Sequence, residues 1–103
     1  MRYNVVLTEQ ANEHLENIIK YVVENFCNNV VATGIINDAE ITYKKLEIVA
    51  GSLCLCEDSY LAAKGYRKII FNKHNYLMLY QIRDNNVYIN GIFHMLENYV
   101  DKL

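Results

Sequence analysis

Residues 76–94 read YLMLYQIRDNNVYINGIFH, and this stretch decides which fold the chain can adopt. On both sides of the central "RDNN", the apolar side chains recur with a period of two, which is typical of half-buried strands. Asn and Asp tolerate the left-handed backbone that a tight hairpin requires. The stretch therefore predicts two antiparallel strands joined by a short turn.

The same stretch also predicts a register. If Asn85 and Asn86 form a two-residue loop, His94 lies opposite Leu77. One face of the sheet is then half polar and carries Arg83, Gln81, Tyr88, Asn90 and His94. The other face is apolar and is expected to pack on helices; it carries Tyr76, Met78, Tyr80, Ile82, Val87, Ile89 and Phe93. Because a slip of one residue would move both sets to the wrong side, we expect His94 to point away from the helices.

A third strand, "YRKIIFN", precedes this hairpin. The sequence does not decide which of its side chains face the core. With Lys73 and His74 as the connecting loop, Arg67 faces the core and Lys68 joins the polar face. A loop one residue longer exchanges the two side chains. The sequence is compatible with both arrangements.

The N-terminal half predicts one strand and two helices. "RYNVVL" is a short β-branched strand, and Thr8 follows as a helix N-cap. Apolar residues then recur at spacings of three and four until "CNN", where Asn28 or Asn29 can cap a second amphipathic helix that ends at Gly51. Residues 52–64 are expected to form a loop with one short turn of helix. The prediction is one α+β domain over 1–103, of order β-α-α-β-β-β, with an antiparallel helical hairpin on a mainly antiparallel sheet.

Composition narrows the class of protein. Hydrophobic residues make up 52% of the chain, which excludes intrinsic disorder. No apolar run approaches the ~18 residues of a membrane span, and no secretory signal is recognisable. Three cysteines are an odd number, so we expect a reducing cytoplasm and no disulfide framework. Cys54 and Cys56 lack the second cysteine pair that a zinc site would need, even with His74 or His94 nearby; no metal or cofactor is expected.

The charge is distributed unevenly along the chain. The net charge is −2, whereas a protein that mainly grips nucleic acid is usually basic. Residues 64–83 contain Lys64, Arg67, Lys68, Lys73 and Arg83 and no acidic residue. A local basic zone is therefore compatible with an acidic protein.

Several segments, taken in order, resemble the RelE/ParE superfamily, the toxins of type II toxin–antitoxin modules. The likeness spans nearly the whole chain; its specific parts are the "GYR" opening, "NYLMLYQI", "VYINGIFH" and the trailing "NY". It implies a cytoplasmic bacterial protein held inactive by a cognate antitoxin in a hetero-oligomer. The antitoxin is expected to cover apolar surface on the helical hairpin or the sheet, through a helix in a groove or an added strand.

Members of this superfamily differ in their targets. RelE-like members cleave mRNA on the ribosome, and ParE-like members inhibit DNA gyrase. Metal-free RNA cleavage needs an acid, a base and cations for the phosphate. By position in the family pattern, the candidates here are Arg67, Arg83, His94 and Tyr99. His94 would be acid or base, Tyr99 would orient or protonate, and the arginines would hold phosphate.

Three departures from that set favour the ParE-like class. The chain is acidic overall, Leu77 and Leu79 are aliphatic where a nuclease sheet would place cations, and Glu97 follows His94 where many relatives have arginines. The sequence thus predicts a toxin that binds a protein target such as gyrase. The alternatives are a ribosome-dependent mRNA endonuclease and a decayed, non-toxic module that still binds its antitoxin.

Overall fold

The structure is a computed structural model that describes residues 2–27 and 29–103. The chain forms β1 (Asn4–Leu7), α1 (Glu9–Phe26), α2 (Asn29–Val49), α3 (Ser59–Ala63), β2 (Arg67–Ile70), β3 (Tyr76–Arg83) and β4 (Asn86–His94). Short 3-10 turns follow α2 at Ala50–Ser52 and end the chain at Tyr99–Lys102. This confirms the predicted α+β fold of order β-α-α-β-β-β, with α3 as the short helix expected within 52–64.

Local capping fixes where α1 begins and ends. The Thr8 hydroxyl oxygen accepts from the Ala11 backbone N–H at 3.2 Å, as predicted for an N-cap, and its O–H donates to the Ile89 carbonyl at 2.7 Å. Cys27 ends the helix in the left-handed conformation, with a φ of 48°. Since α2 begins at Asn29, a cap at Asn28 would lie outside the described residues.

The sheet in the described chain has four strands in the order β1-β4-β3-β2. β4 runs antiparallel to β3 and parallel to β1, while β2 is antiparallel to β3. The strands at the two edges are therefore β1 and β2. One parallel pair makes the sheet mixed, but it remains mainly antiparallel.

Each face of the sheet has its own apolar cluster. The larger one lies between the sheet and helices α1 and α2 and contains buried Val5, Val22, Ile35, Met78, Tyr80, Val87 and Ile89. The smaller one, on the opposite face, contains Cys56, Leu61, Leu77, Leu79 and Phe93, beneath α3 and the C-terminal segment. The aliphatic positions Leu77 and Leu79 are therefore core residues of this second cluster.

The predicted register of the β3–β4 hairpin was wrong. The observed pairing differs from it at the loop and again at a β-bulge. The loop is Asp84–Asn85, so Arg83 pairs with Asn86, and Asp84 takes the left-handed conformation at φ 56°. A β-bulge then leaves Asn90 without a partner, since Tyr80 pairs with Ile89 and Leu79 pairs with Gly91. An extra residue in one strand exchanges the faces beyond it.

The bulge changes where the end of β4 points. Before it, Val87 and Ile89 lie on the helix side; beyond it, Ile92 does. His94 pairs with Tyr76 and lines a groove with α1, and Phe93 lies in the opposite cluster. The expectation that His94 points away from the helices is thus corrected. Phe93 belongs to the opposite cluster, yet its ring still lies 4.8 Å from that of His14 on α1.

A buried carboxylate joins α2 to the β2–β3 turn. Asp38 is only 3% exposed, and its oxygens accept backbone N–H groups from Asn72 at 3.1 Å, Lys73 at 2.9 Å and His74 at 3.0 Å. The His74 Nδ1 lies 2.8 Å from the same carboxylate. Burial alone would raise the pKa of Asp38, but the hydrogen bonds from His74, Lys73 and Asn72 outweigh it and lower that pKa.

Asp38→Asn is expected to lower the free energy of unfolding by about 3 kcal/mol, because an amide nitrogen cannot accept the backbone N–H groups that the carboxylate binds. Urea denaturation followed by circular dichroism measures the difference. Glu40→Gln, an exposed change of the same charge on the same helix, should shift stability by less than about 0.5 kcal/mol. Equal effects of the two substitutions would contradict this role of Asp38.

The same group predicts a pH dependence. Since the pKa of Asp38 is lower in the folded state than in the unfolded chain, its stabilisation is present above the unfolded pKa and is lost as pH falls through the folded pKa. The stability difference between wild type and Asp38→Asn should therefore be constant above about pH 5 and shrink as pH falls from about 5 to about 2. A difference that stays constant over this range would contradict the assignment.

Candidate functional site

The four side chains proposed from the sequence lie in different places. Arg67 is on the helix side of β2, where its guanidinium donates to the Leu53 carbonyl. Its neighbour Lys68 lies opposite Leu79, on the other face. Of the two arrangements left open for this strand, the one with Arg67 toward the core is the one observed.

Arg83 lies on the face away from the helices. With Gln81, Tyr88 and Asn90 it lines a shallow cleft, so the predicted polar patch exists without His94. The Gln81 side chain is fixed at both ends: its Nε2 donates to the Lys64 carbonyl at 2.7 Å, and its Oε1 accepts from Asn90 Nδ2 at 2.8 Å. The bulged residue Asn90 therefore contributes to the order of this patch.

His94 and Tyr99 are close in sequence but belong to different surroundings. His94 packs edge-on against Tyr76, with ring centroids 5.2 Å apart. Tyr99 stacks on Phe93 at 5.9 Å, within the cluster on the opposite face. The turn between them is closed by Glu97, whose Oε1 accepts from the His94 backbone N–H at 3.0 Å.

The four candidates therefore do not converge on one point. His94 pairs at one end of the β3–β4 hairpin and Arg83 at the other, and the seven residue steps between Tyr76 and Arg83 span ~23 Å of strand. Arg67 and Arg83 face opposite sides of the sheet. General acid–base catalysis needs its groups within hydrogen-bond reach of one substrate, and this spacing does not provide that.

A cavity larger than the cleft at Arg83 lies elsewhere, between α1 and the ends of β3 and β4. It has a volume of about 650 Å³ and contains His94 but no other candidate from the sequence. We call it the histidine groove; its lining residues are His14, Asn17, Ile18, Tyr21, Val22, Phe26, Tyr76, Ile92, Phe93, His94, Glu97 and Lys102. Sequence reasoning missed His14, which only the position of α1 over β4 brings to this cavity.

Backbone contacts fix the tautomer of both groove histidines. His14 Nδ1 accepts the Ile92 N–H at 3.2 Å, and His94 Nδ1 accepts the Leu96 N–H at 3.1 Å. A neutral imidazole that accepts at Nδ1 carries its proton on Nε2. No buried side-chain nitrogen or oxygen lacks a partner among the described residues, and neither Nε2 has a partner there, so both Nε2–H donors are accessible.

The charges in the groove nearly balance. Glu97 Oε2 accepts from Lys102 Nζ at 2.7 Å, so each neutralises the other. Burial lowers the pKa of His14, and this outweighs the attraction of Glu97 and Glu13. Burial also raises the pKa of Tyr76, so its phenol stays protonated. At neutral pH the groove thus offers hydrogen-bond donors and aromatic surface with little net charge.

Within residues 2–27 and 29–103 no group of three or more His, Cys, Asp or Glu side chains is placed to hold a metal ion. In the same part of the chain no helix is long and apolar enough to cross a membrane.

Two solved structures that share this fold come from toxin–antitoxin systems. A chain of the chromosomal ParDE toxin–antitoxin system from P. aeruginosa superposes with a TM-score of 0.74 at 17% identity, covering 90% of this chain and 96% of that one. A chain of the RelBE2 toxin–antitoxin complex from Mycobacterium tuberculosis gives 0.59 at 16% identity, with 91% and 99% covered. The chain therefore shares the fold of these two solved chains.

The family follows from the sequence comparison. The model for the ParE toxin of the type II toxin–antitoxin system parDE matches residues 5–99. The chain belongs to the ParE toxin family, as the resemblance found in the sequence implied. No curated protein matched the sequence.

Gly91 is expected to be essential for the shape of the histidine groove. A Cβ there would lie 2.4 Å from Phe93 Cε2 and 3.3 Å from His14 Nδ1, so Gly91→Ala should destabilise the fold by about 2 kcal/mol through overpacking. Thermal denaturation measures the change.

Gly34→Ala is the matched control for this prediction. Its added Cβ would meet only ordinary contacts with His74 at 3.5 Å, and Ala is favoured over Gly inside a helix by about 1 kcal/mol. The two Gly→Ala changes should therefore shift the melting temperature in opposite directions. A Gly91→Ala protein as stable as wild type would show that the β4 bulge has room for a side chain.

Proposed function

We propose that this protein is the toxin of a type II module, is neutralised in the cytoplasm by a cognate antitoxin, and acts by binding a protein target, with DNA gyrase as the expected one. The observation that carries the proposal is the ParE family match over residues 5–99, which covers both long helices and the four described strands except Asn4. The structural neighbours support an antitoxin partner, since both come from toxin–antitoxin systems.

The positions of the candidate catalytic residues support target binding over RNA cleavage. The Arg67 guanidinium donates a hydrogen bond to the Leu53 carbonyl. Arg83 and His94 lie at opposite ends of the β3–β4 hairpin. A ribosome-dependent nuclease must also approach dense phosphate, and the net charge of this chain is −2. These observations disfavour the mRNA endonuclease alternative.

Exposed apolar side chains on the helical hairpin support a protein partner. Tyr21 and Phe26 on α1 are 59% and 64% exposed and their ring centroids lie 6.0 Å apart, and contiguous exposed apolar surface marks interaction sites. The edge strands β1 and β2 offer backbone groups to an added strand, except at the start of β2, where Leu55 already bridges Arg67. A helical or extended antitoxin segment fits either surface.

A gyrase supercoiling assay tests the target. Purified toxin at micromolar concentration is expected to inhibit supercoiling of relaxed plasmid, and an equimolar amount of the antitoxin encoded beside it should restore activity. Unimpaired supercoiling in a protein that arrests growth would exclude gyrase as the target. Absence of both growth arrest and gyrase inhibition would instead favour a non-toxic antitoxin-binding module.

Two conservative variants test the nuclease alternative. Arg83→Gln and Tyr99→Phe remove a cation and a phenolic hydroxyl without opening the core, so both should stay toxic if the protein acts by binding. A catalytic role would cost about 100-fold or more in RNA cleavage. Loss of growth arrest in both folded variants, with mRNA cleavage by wild type on ribosomes, would establish the endonuclease instead.

A further inference from the structure

The polar patch of Gln81, Arg83, Tyr88 and Asn90 lies on the face of the sheet away from α1 and α2. These four side chains line a cleft of about 160 Å³, and Arg83 is exposed. On this face, α3 and the C-terminal segment pack only toward the other end of the hairpin. The polar patch is therefore open to a partner that approaches the sheet.

Two side chains of the polar patch have hydrogen-bond donors that no described residue uses. The Arg83 guanidinium makes neither a hydrogen bond nor an ion pair with the described chain, although Asp84 is its neighbour, and the Tyr88 hydroxyl is also free. The two amides beside them are fixed, since Asn90 Nδ2 donates to Gln81 Oε1 at 2.8 Å. A partner that binds here meets free donors on an ordered surface, which lowers the entropic cost of binding.

The strand register brings the two free donors together. Arg83 lies opposite Asn86 and Gln81 lies opposite Tyr88, so Arg83 and Tyr88 are diagonal neighbours on one face. Side chains in this relation are about 7–8 Å apart at the backbone, within reach of one another when they are long or aromatic. The planar guanidinium matches a carboxylate in shape and charge. One carboxylate between the two side chains therefore accepts hydrogen bonds from both.

The charges around the polar patch favour an anion. No acidic side chain lines the cleft. Lys64 is exposed and lies beside the cleft, since its carbonyl accepts from Gln81 Nε2 at 2.7 Å. Lys68 lies on the same face, opposite Leu79. Within the described chain no ion pair neutralises these lysines or Arg83.

The cationic stretch is short and has a carboxylate at each end. Lys68 and Arg83 are four residue steps apart along the sheet, which is about 13 Å. Asp84 follows Arg83. Burial raises the pKa of the Cys56 thiol, Lys68 acts to lower it and Asp58 to raise it further, so Asp58 lies near Lys68. A nucleic-acid strand carries a phosphate on every nucleotide and would meet both carboxylates, whereas one or two acidic side chains of a polypeptide fit between them.

We propose that the polar patch binds an acidic segment of the antitoxin, and that one of its carboxylates accepts hydrogen bonds from the Arg83 guanidinium and the Tyr88 hydroxyl. The antitoxin is the polypeptide partner that membership of a toxin–antitoxin family supports. The proposal rests on the proposed neutralisation by an antitoxin and adds to it one surface and one chemistry.

Calorimetry with the antitoxin encoded beside the toxin tests the site. Arg83→Gln should weaken the complex by about tenfold or more, because a hydrogen bond to a charged group is lost. Tyr88→Phe removes only the hydroxyl and should weaken it by a smaller factor. Raising the salt concentration from about 0.05 M to about 0.5 M should weaken the wild-type complex more than the Arg83→Gln complex, since salt screens exposed charges.

Lys73→Gln is the matched control. It removes one positive charge from the same basic segment, at an exposed position in the β2–β3 turn at the other end of the hairpin. This variant should bind the antitoxin as wild type does, with folding of every variant verified by circular dichroism. An Arg83→Gln protein that binds as tightly as wild type at both salt concentrations would overturn the proposal.

A double-mutant cycle identifies the carboxylate. Each Asp or Glu of the antitoxin is replaced by Asn or Gln and measured against both wild-type toxin and Arg83→Gln. Residues in contact give non-additive effects, and distant residues give additive ones. We expect non-additivity with Arg83→Gln at one or two antitoxin positions. Additive effects at every position would refute a direct contact, even if Arg83→Gln alone weakens binding.

Growth assays separate this proposal from the proposed function. Arg83→Gln is expected to arrest growth and to escape an antitoxin level that rescues cells expressing wild type. A wild-type toxin that does not bind the antitoxin would contradict the proposed function itself. A wild type and an Arg83→Gln variant that are neutralised equally would remove the polar patch alone.

Two further outcomes would assign the polar patch to another partner and refute the proposal. One is loss of gyrase inhibition in Arg83→Gln with unchanged affinity for the antitoxin. The other is binding of a single-stranded DNA oligonucleotide that Arg83→Gln abolishes, again with unchanged affinity for the antitoxin.

Discussion

The bulge at Asn90 is the constraint on which the arrangement of the C-terminal half depends. Without it, alternation along β4 would place His94 on the outer face with Tyr88. With it, the strand gains one residue relative to β3, and Ile92 and His94 turn toward α1. Gly91 follows the bulge and leaves room for the Phe93 ring and for His14. The histidine groove therefore exists because one residue of β4 is left unpaired.

The two faces of the sheet are held by different means. On the helix side, apolar packing is supplemented by polar contacts to backbone: the Tyr80 hydroxyl donates to the Ala50 carbonyl at 2.8 Å, and Asp38 holds the β2–β3 turn. On the other side, α3 and the C-terminal segment cover only the half of the sheet around Leu77 and Leu79. The remaining half is the polar patch around Arg83. This face of the sheet is therefore covered at one end of the hairpin and exposed to solvent at the other.

Secondary-structure elements that depend on neighbouring residues alone could be predicted from the sequence. The Thr8 cap, the two helices and the three C-terminal strands follow from periodicity and turn chemistry, and they form where expected. The hairpin register was not predictable in the same way, because a bulge depends on the match between β3 and β4 and leaves the alternation of side chains looking regular. Asp38 was equally hidden, since three of its partners are backbone N–H groups of a distant turn.

The error in register also changes how Glu97 is interpreted. From the sequence, its charge counted against phosphate binding beside His94. In the structure the carboxylate closes the turn after β4, accepting from the His94 N–H at 3.0 Å and from Lys102 Nζ at 2.7 Å. It thereby holds His94 at the mouth of the groove, opposite α1. The side chain whose charge counted against phosphate binding thus has a structural role, because it fixes the backbone of the strand-end histidine.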